Sequence, residues 1–183
     1  MKYSNKWVEE IVEKENVKFL FFWGHQALKN GETGKSCFSQ WFEINFKYEE
    51  NNYPTAEHWM MAEKARLFND KEILLQVLKS NSAGEVKKLG RQIKNFDEQI
   101  WNDHKFEIVR KGNFLKFDQN KDLKEFLLNT NNRILAEASP VDAIWGIGMA
   151  SDNVNVENPS KWEGENLLGY ALMEVRDLLK INS

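Results

Sequence analysis

Trp7, Val8, Ile11 and Val12 fall at helical spacing among the charges of residues 5–15, so the chain opens with a short amphipathic helix. The apolar run 17–23 (VKFLFFW) predicts a buried strand, and residues 29–36, polar with two glycines, predict a turn. From Phe38 to Tyr48 the period changes. Phe42, Ile44, Phe46 and Tyr48 share one side and Glu43, Asn45 and Lys47 the other, the pattern of a strand with one solvated face. Residues 49–55 read as a loop. Pro54 and Thr55 then signal a helix start, with Thr55 as the N-cap.

Beyond Thr55 the spacing is helical almost to the end. It predicts helices over 56–68, 70–80, 82–94, 98–116 and 120–129, a mixed stretch over 132–145 with a turn at Ser139–Pro140, and a last helix over 166–180. Between them, residues 146–165 hold Gly146, Gly148, Gly164 and many Asn, Asp and Ser, which reads as a long loop. No internal repeat or linker interrupts the pattern. The expected fold is a single α+β, helix-dominated domain with a small β element near the N-terminus.

A chain of 183 residues buries roughly 70% of its unfolded surface on folding, enough for a core without disulfides or a structural metal. With 42% hydrophobic and 13% aromatic residues, it does not have the composition of a disordered chain. The net charge of −3 provides no global field for nucleic acid or anionic lipid, so any such contact must be local. One cysteine, Cys37, forms no internal disulfide and next to Phe38 reads as a small buried hydrophobe. Three scattered histidines give no metal-ligand spacing. The first 17 residues lack the apolar stretch of a signal peptide, and the longest apolar run is far below the ~20 residues that span a bilayer, so the expected location is the cytoplasm.

Three segments carry candidate chemistry. On the helix after Pro54, Glu57, His58 and Lys64 share a face of roughly 120° with Met61, Ala65 and Phe68. Such a face is either half exposed, with Glu57 favouring the helix dipole, or converges on a third object between Glu57 and Lys64, which stand roughly 10 Å apart along the axis. The loop SPVDAIWGIGMASDN offers Asp142, Trp145, Gly146 and Gly148, with Asn166 near its end. Such a long irregular segment is either a ligand loop or a solvated surface with Trp145 and Trp162 plugging the core. In CFSQWF, Trp41 and Phe38 can stack on a flat ring while Ser39 and Gln40 read its edge, or the rings simply begin a strand. Lys87, Lys88, Arg91 and Lys94 form a modest basic face, either a phosphate site or solvated surface.

Taken together, CFSQWF (37–42), YPTAEHWMMAEKARLF (53–68), LGRQIKNFDEQIW (89–101), IVRKGNFLKF (108–117), EASPVDAIWGIG (137–148) and WEGENLLGYALMEVRDLL (162–179) resemble the NADAR, or YbiA-like, family. The strings occur in family order and span about residues 19–180. Residues 1–16, the N-terminal helix, lie outside the resemblance and 17–183 form the family domain.

The resemblance implies a helix-dominated N-glycosidase that acts on a phosphorylated ribose. Its substrate is either ADP-ribose on guanine in a nucleoside, single-stranded DNA or RNA, or a riboflavin-pathway aminopyrimidine ribosyl-phosphate. It maps the functional carboxylate onto Glu57 and the sugar-bonding amine onto Lys64, adds Asp142 as a third catalytic candidate, and puts Trp145 and Asn166 in matching substrate-binding positions. No cofactor, metal, membrane or obligate protein partner is expected. In this reading Trp41 or Trp145 stacks on the base, Ser39 and Gln40 read its edge, and Arg91 with the Gly146–Gly148 loop holds phosphate. His58 either bonds a ribose hydroxyl or is a satisfied structural histidine. The alternative is a non-catalytic reader of ADP-ribose or NAD.

Overall fold

The computed structural model describes residues 1–181. Seven helices and two small sheets are present among them: α1 (Asn5–Lys14), β1 (Phe19–Phe22), β2 (Phe46–Tyr48), β3 (Asn51–Tyr53), α2 (Ala56–Leu67), α3 (Lys71–Lys79), α4 (Ala83–Gly90), α5 (Glu98–Asp118), α6 (Lys121–Leu128), β4 (Ile134–Glu137) and α7 (Leu167–Ile181). The expected helix-dominated α+β architecture is the one observed. None of these helices is long and apolar enough to cross a membrane.

Helix α2 is the axis of the molecule. It packs against α3, α4 and α5 and is buried on most of its circumference, which explains why its sequence has no clean apolar stripe. Thr55 caps it, its hydroxyl accepting from His58 N. Trp59 is fully buried, with rings of Phe46, Tyr48 and Tyr53 around it and its indole N–H donating to Ile108 O at 2.8 Å. Helix α5 can approach that ring because residue 112 is glycine; a Cβ there would lie 2.2 Å from Trp59 Cδ1. Helix α7 closes the other side, against α5 and β4. Helix α1 is tied to it by Tyr170 Oη, which donates to Asn5 Oδ1.

The strands depart most from expectation. Strand β1 pairs in parallel with β4, Phe22 opposite Glu137, so the stretch 132–145 that read as mixed contains a core strand. Four residues are too few to show a period, and only the distant partner makes them a strand. The alternation from Phe38 to Tyr48 yields just Phe46–Tyr48. Residues 35–38 instead wind into a 3₁₀ turn, and main-chain bonds of Ser39, Gln40 and Ile44 are made in turns and to Glu57 and Pro54. The expected loop 49–55 contains β3, which returns antiparallel on β2 through Glu49 at φ 51°. The helix expected over 82–94 stops at Gly90, because Lys94 N is drawn to the Asp70 carboxylate at 2.9 Å.

Candidate active site

The C-terminal end of β4, the N-terminal two turns of α2, the end of α4 and the turn at 39–41 surround a cavity of about 600 Å³. Ligand sites gather at this end of parallel strands, where the chain leaves the sheet and loops are free to carry side chains. A second cavity, of about 560 Å³, lies between α1 and α7. Its buried cation, Arg176, is committed to Thr130 Oγ1 and Arg133 O.

Helix α2 lays Glu57, Met60, Met61 and Lys64 along the cavity wall, a stripe at i, i+3, i+4 and i+7. Glu57 is 3% exposed. Burial pushes its carboxyl up to about 7, against the pull of the Lys87 charge, a Trp41 contact and Lys64. Lys64 Nζ donates to Gly90 O at 3.0 Å and lies 4.3 Å from the Phe96 ring centre and 5.3 Å from that of Trp101. Burial lowers its pKa, and Glu57 opposes the change. The apolar neighbours of the amine are therefore Met61, Phe96 and Trp101; Phe68 packs behind Phe96.

His58 belongs elsewhere. It is buried on a different side of α2 from the cavity, its Nδ1 2.7 Å from Thr55 Oγ1, and Ser80 and Glu85 are its polar surroundings. Neighbouring residues on a helix are about 100° apart, and packing on both sides of α2 separates Glu57 from His58.

Ser39, Gln40 and Trp41 line the opposite wall. Lys116 holds their turn from below: fully buried, its Nζ donates to Cys37 O at 2.7 Å and Ser39 O at 2.9 Å. Gln40 is fastened at both ends. Its carbonyl accepts Glu57 N at 2.9 Å, and its Oε1 accepts Asn113 Nδ2 at 2.8 Å. That leaves Gln40 Nε2 buried without a partner. The Trp41 ring stands 5.6 Å from His25 and 5.7 Å from Lys87 Nζ. Lys87 and Arg91 put two cations on the cavity wall, and Trp23, 58% exposed, stands at its rim.

Asp142 and Trp145 complete the lining. Asp142 Oδ1 accepts Ile144 N and Trp145 N at 2.9 and 2.8 Å, which folds the loop back on itself. Gly146, Gly148 and Asn166 do not line the cavity; they build its floor. A Cβ at Gly146 would lie 2.8 Å from Glu137 O, and the adjacent Ile147 N is spent on that same oxygen. Gly148, at φ 67°, packs on Glu163 and Gly164. Asn166 is buried and its side chain bonds to the β4 main chain and meets the Tyr170 hydroxyl, away from the cavity. Of the groups expected to meet phosphate, Arg91 lines the cavity, beside Lys87, and the glycine loop does not.

One side chain escaped the sequence reading. Glu137, the last residue of β4, points into the cavity with its Oε2 buried and unpartnered. Burial and the neighbouring Asp142 charge push its carboxyl up to about 8. Its signal was an acid closing the apolar run ILAE, visible only once that run is known to be a strand. Among the described residues no group of three or more His, Cys, Asp and Glu is arranged to hold a metal ion.

Comparison with known proteins bears on the same residues. A family model described as NADAR domain matches residues 21–180. N-glycosidase R617 of Acanthamoeba polyphaga mimivirus is 46% identical over 169 residues, covering 89% of this chain and 97% of that protein. N-glycosidase YbiA of Escherichia coli K12 is 30% identical over 144 residues, covering 79% and 81%. The NMR structure of Escherichia coli YbiA superposes with a TM-score of 0.72 at 26% identity, over 96% of this chain and 92% of that one.

Proposed function

The chain belongs to the NADAR family, and from that premise we propose that it is an N-glycosidase cleaving the C1′–N bond between a phosphorylated ribose and a flat base. The substrate is either ADP-ribose carried on guanine, in a nucleoside or a single strand, or a ribose 5-phosphate on a riboflavin-pathway aminopyrimidine. The observation that carries this reading is Glu57 and Lys64 on one stripe of α2, facing one cavity, with their pKa values shifted towards each other.

Burial raises the Glu57 carboxyl to about 7 and lowers the Lys64 amine from the lysine range, the directions that suit a proton shuttle and a nucleophile near neutrality. The lone pair of the glycosidic nitrogen opens the ribose to an imine at C1′, and O4′ takes up a proton. The neutral Lys64 amine adds to C1′. The C1′–N bond to the base then breaks, its electron pair leaving on the base nitrogen with a proton. The resulting Lys64 Schiff base is hydrolysed by water, which restores the amine. Glu57, two helical turns from Lys64, accepts and returns the proton of the Lys64 nitrogen through a water or a ribose hydroxyl held between them. A nucleobase stacks on Trp41 or Trp145, both on the cavity wall, with the free Gln40 Nε2 donating to its edge. Lys87 and Arg91 match phosphate. Fully paired guanine would hide the sugar, so a single strand or flipped nucleotide is the polymeric form.

The test incubates wild type, Glu57→Ala and Lys64→Ala with guanine-ADP-ribosylated single-stranded DNA and, separately, with the aminopyrimidine ribosyl-phosphate. Released base is measured by mass spectrometry. Release by wild type alone from one substrate assigns that substrate. Binding of ADP-ribose with no release from either would make the protein a reader and overturn the proposal.

A further inference from the structure

The cavity holds three carboxyl groups where the proposed reaction, through Glu57 and Lys64, uses one. The base leaves carrying the electron pair of the C1′–N bond, and a nitrogen anion is a poor leaving group, so a proton must reach that nitrogen as the bond breaks. In the proposed reaction Glu57 serves the Lys64 amine, and a second carboxyl on the cavity wall leaves it free to do so.

Glu137 is held differently. Its main chain is clamped on both sides: its N–H donates to Asn166 Oδ1 at 3.1 Å, and its carbonyl accepts Ile147 N at 2.9 Å. Its side chain enters the cavity from the strand end, across from α2, with Oε2 buried and without a hydrogen-bond partner. A bare carboxylate oxygen in that position carries the full cost of desolvation, which a proton removes.

The charges that act on it are Asp142 from the loop, Glu57 from α2 and Lys87 from α4. Two of the three are acidic and favour a held proton, whereas on Glu57 the pull of Lys87, Trp41 and Lys64 opposes the single Asp142 charge. When Glu57 ionises, its charge strengthens the hold on the Glu137 proton. The pair is thereby divided into a base and an acid by environment.

We propose that Glu137 is the general acid of the reaction, giving its proton to the base nitrogen as the C1′–N bond breaks and regaining one from water once the base has left. The assignment rests on the N-glycosidase reading above.

The experiment is single-turnover base release by wild type, Glu137→Gln and Glu137→Asp between pH 6 and 9.5, on whichever ribosyl substrate the wild type cleaves, with ADP-ribose affinity measured alongside. Wild-type release is expected to fall above a pH of about 8. Glu137→Gln should lower the saturated rate by about 10²–10⁴-fold, remove that alkaline limb and leave affinity within about threefold. Glu137→Asp, which keeps a carboxyl, should retain the limb at a reduced rate and serves if the Gln variant fails to fold. A Glu137→Gln rate within threefold of wild type overturns the assignment, as does a loss recovered at saturating substrate or an alkaline limb that persists. If the Gln variant does not fold, an Asp variant without the limb overturns it. Each of those outcomes leaves the N-glycosidase reading standing. Absence of wild-type release from both substrates removes that reading, and the acid with it.

Discussion

Asn166 fastens Glu137 to the floor of the cavity. Its Oδ1 accepts the Glu137 main-chain N–H at 3.1 Å, and its Nδ2 donates to Leu135 O at 3.0 Å. Twenty-nine residues apart in sequence, the two meet because Asn166 sits at φ 54°, the left-handed turn that precedes α7. Asparagine tolerates that conformation better than most residues.

Two variants separate the side chain of Asn166 from its backbone. Asn166→Ala loses both hydrogen bonds and adds backbone strain, for an expected loss of about 2–4 kcal/mol. Asn166→Gly loses the same bonds without the strain and should be the more stable of the two. Urea denaturation midpoints check the order. Both should release base more slowly, since the end of β4 is no longer held.

The buried carboxyls make stability depend on pH. Glu57 rises from 4.5 to about 7 and Glu137 from 4.5 to about 8 on folding. Between those limits the folded protein binds more protons than the unfolded chain. Their contribution is therefore complete below about 4.5 and is lost as pH rises through 7 and 8. For Glu57 the ceiling is on the order of 3 kcal/mol. Melting temperature should fall from pH 5 to 8, and Glu57→Gln and Glu137→Gln should each flatten the slope. A slope unchanged in both variants would show that neither carboxyl holds a proton on folding.

Lys64→Arg tests the covalent route. Arginine keeps the positive charge but has no nucleophilic amine at neutral pH. Base release should be abolished, and borohydride should trap the sugar on wild type alone. Substantial release by Lys64→Arg would favour direct attack of water, with the cation only holding phosphate.

Lys116 supports the turn at 39–41 that lines the cavity, without lining it itself. Lys116→Met leaves the carbonyls of Cys37 and Ser39 without their buried donor. The expected cost is about 1–3 kcal/mol, softened because a desolvated amine is removed as well. Substrate affinity should fall with it, because Gln40 and Trp41 belong to that turn. A normal KM in a destabilised Lys116→Met would separate the turn from binding.

What the sequence reveals about the site follows from range. Glu57 and Lys64 are seven residues apart on one helix, and the helical repeat alone puts them on one side. His58 fell within the same arc, and only the packing of α3 and α4 against α2 moved it off the cavity. Gly146 and Gly148 looked like a phosphate loop because glycine lets backbone come close, but what comes close here is protein. Glu137 stayed hidden because a four-residue strand has no readable period and its partner lies more than a hundred residues earlier.

The chain by itself determined its helices, the Thr55 cap, the buried thiol and, through the strings that resemble one family, the kind of bond at stake. These depend on local repeat and on residue identity, which a linear sequence contains in full. Tertiary structure decided the parallel pairing of β1 with β4, the course of the turn over Lys116, and which polar groups lose their water. The last of these decides the chemistry. A carboxyl titrates near 7 or 8 rather than 4.5 only when distant segments close around it.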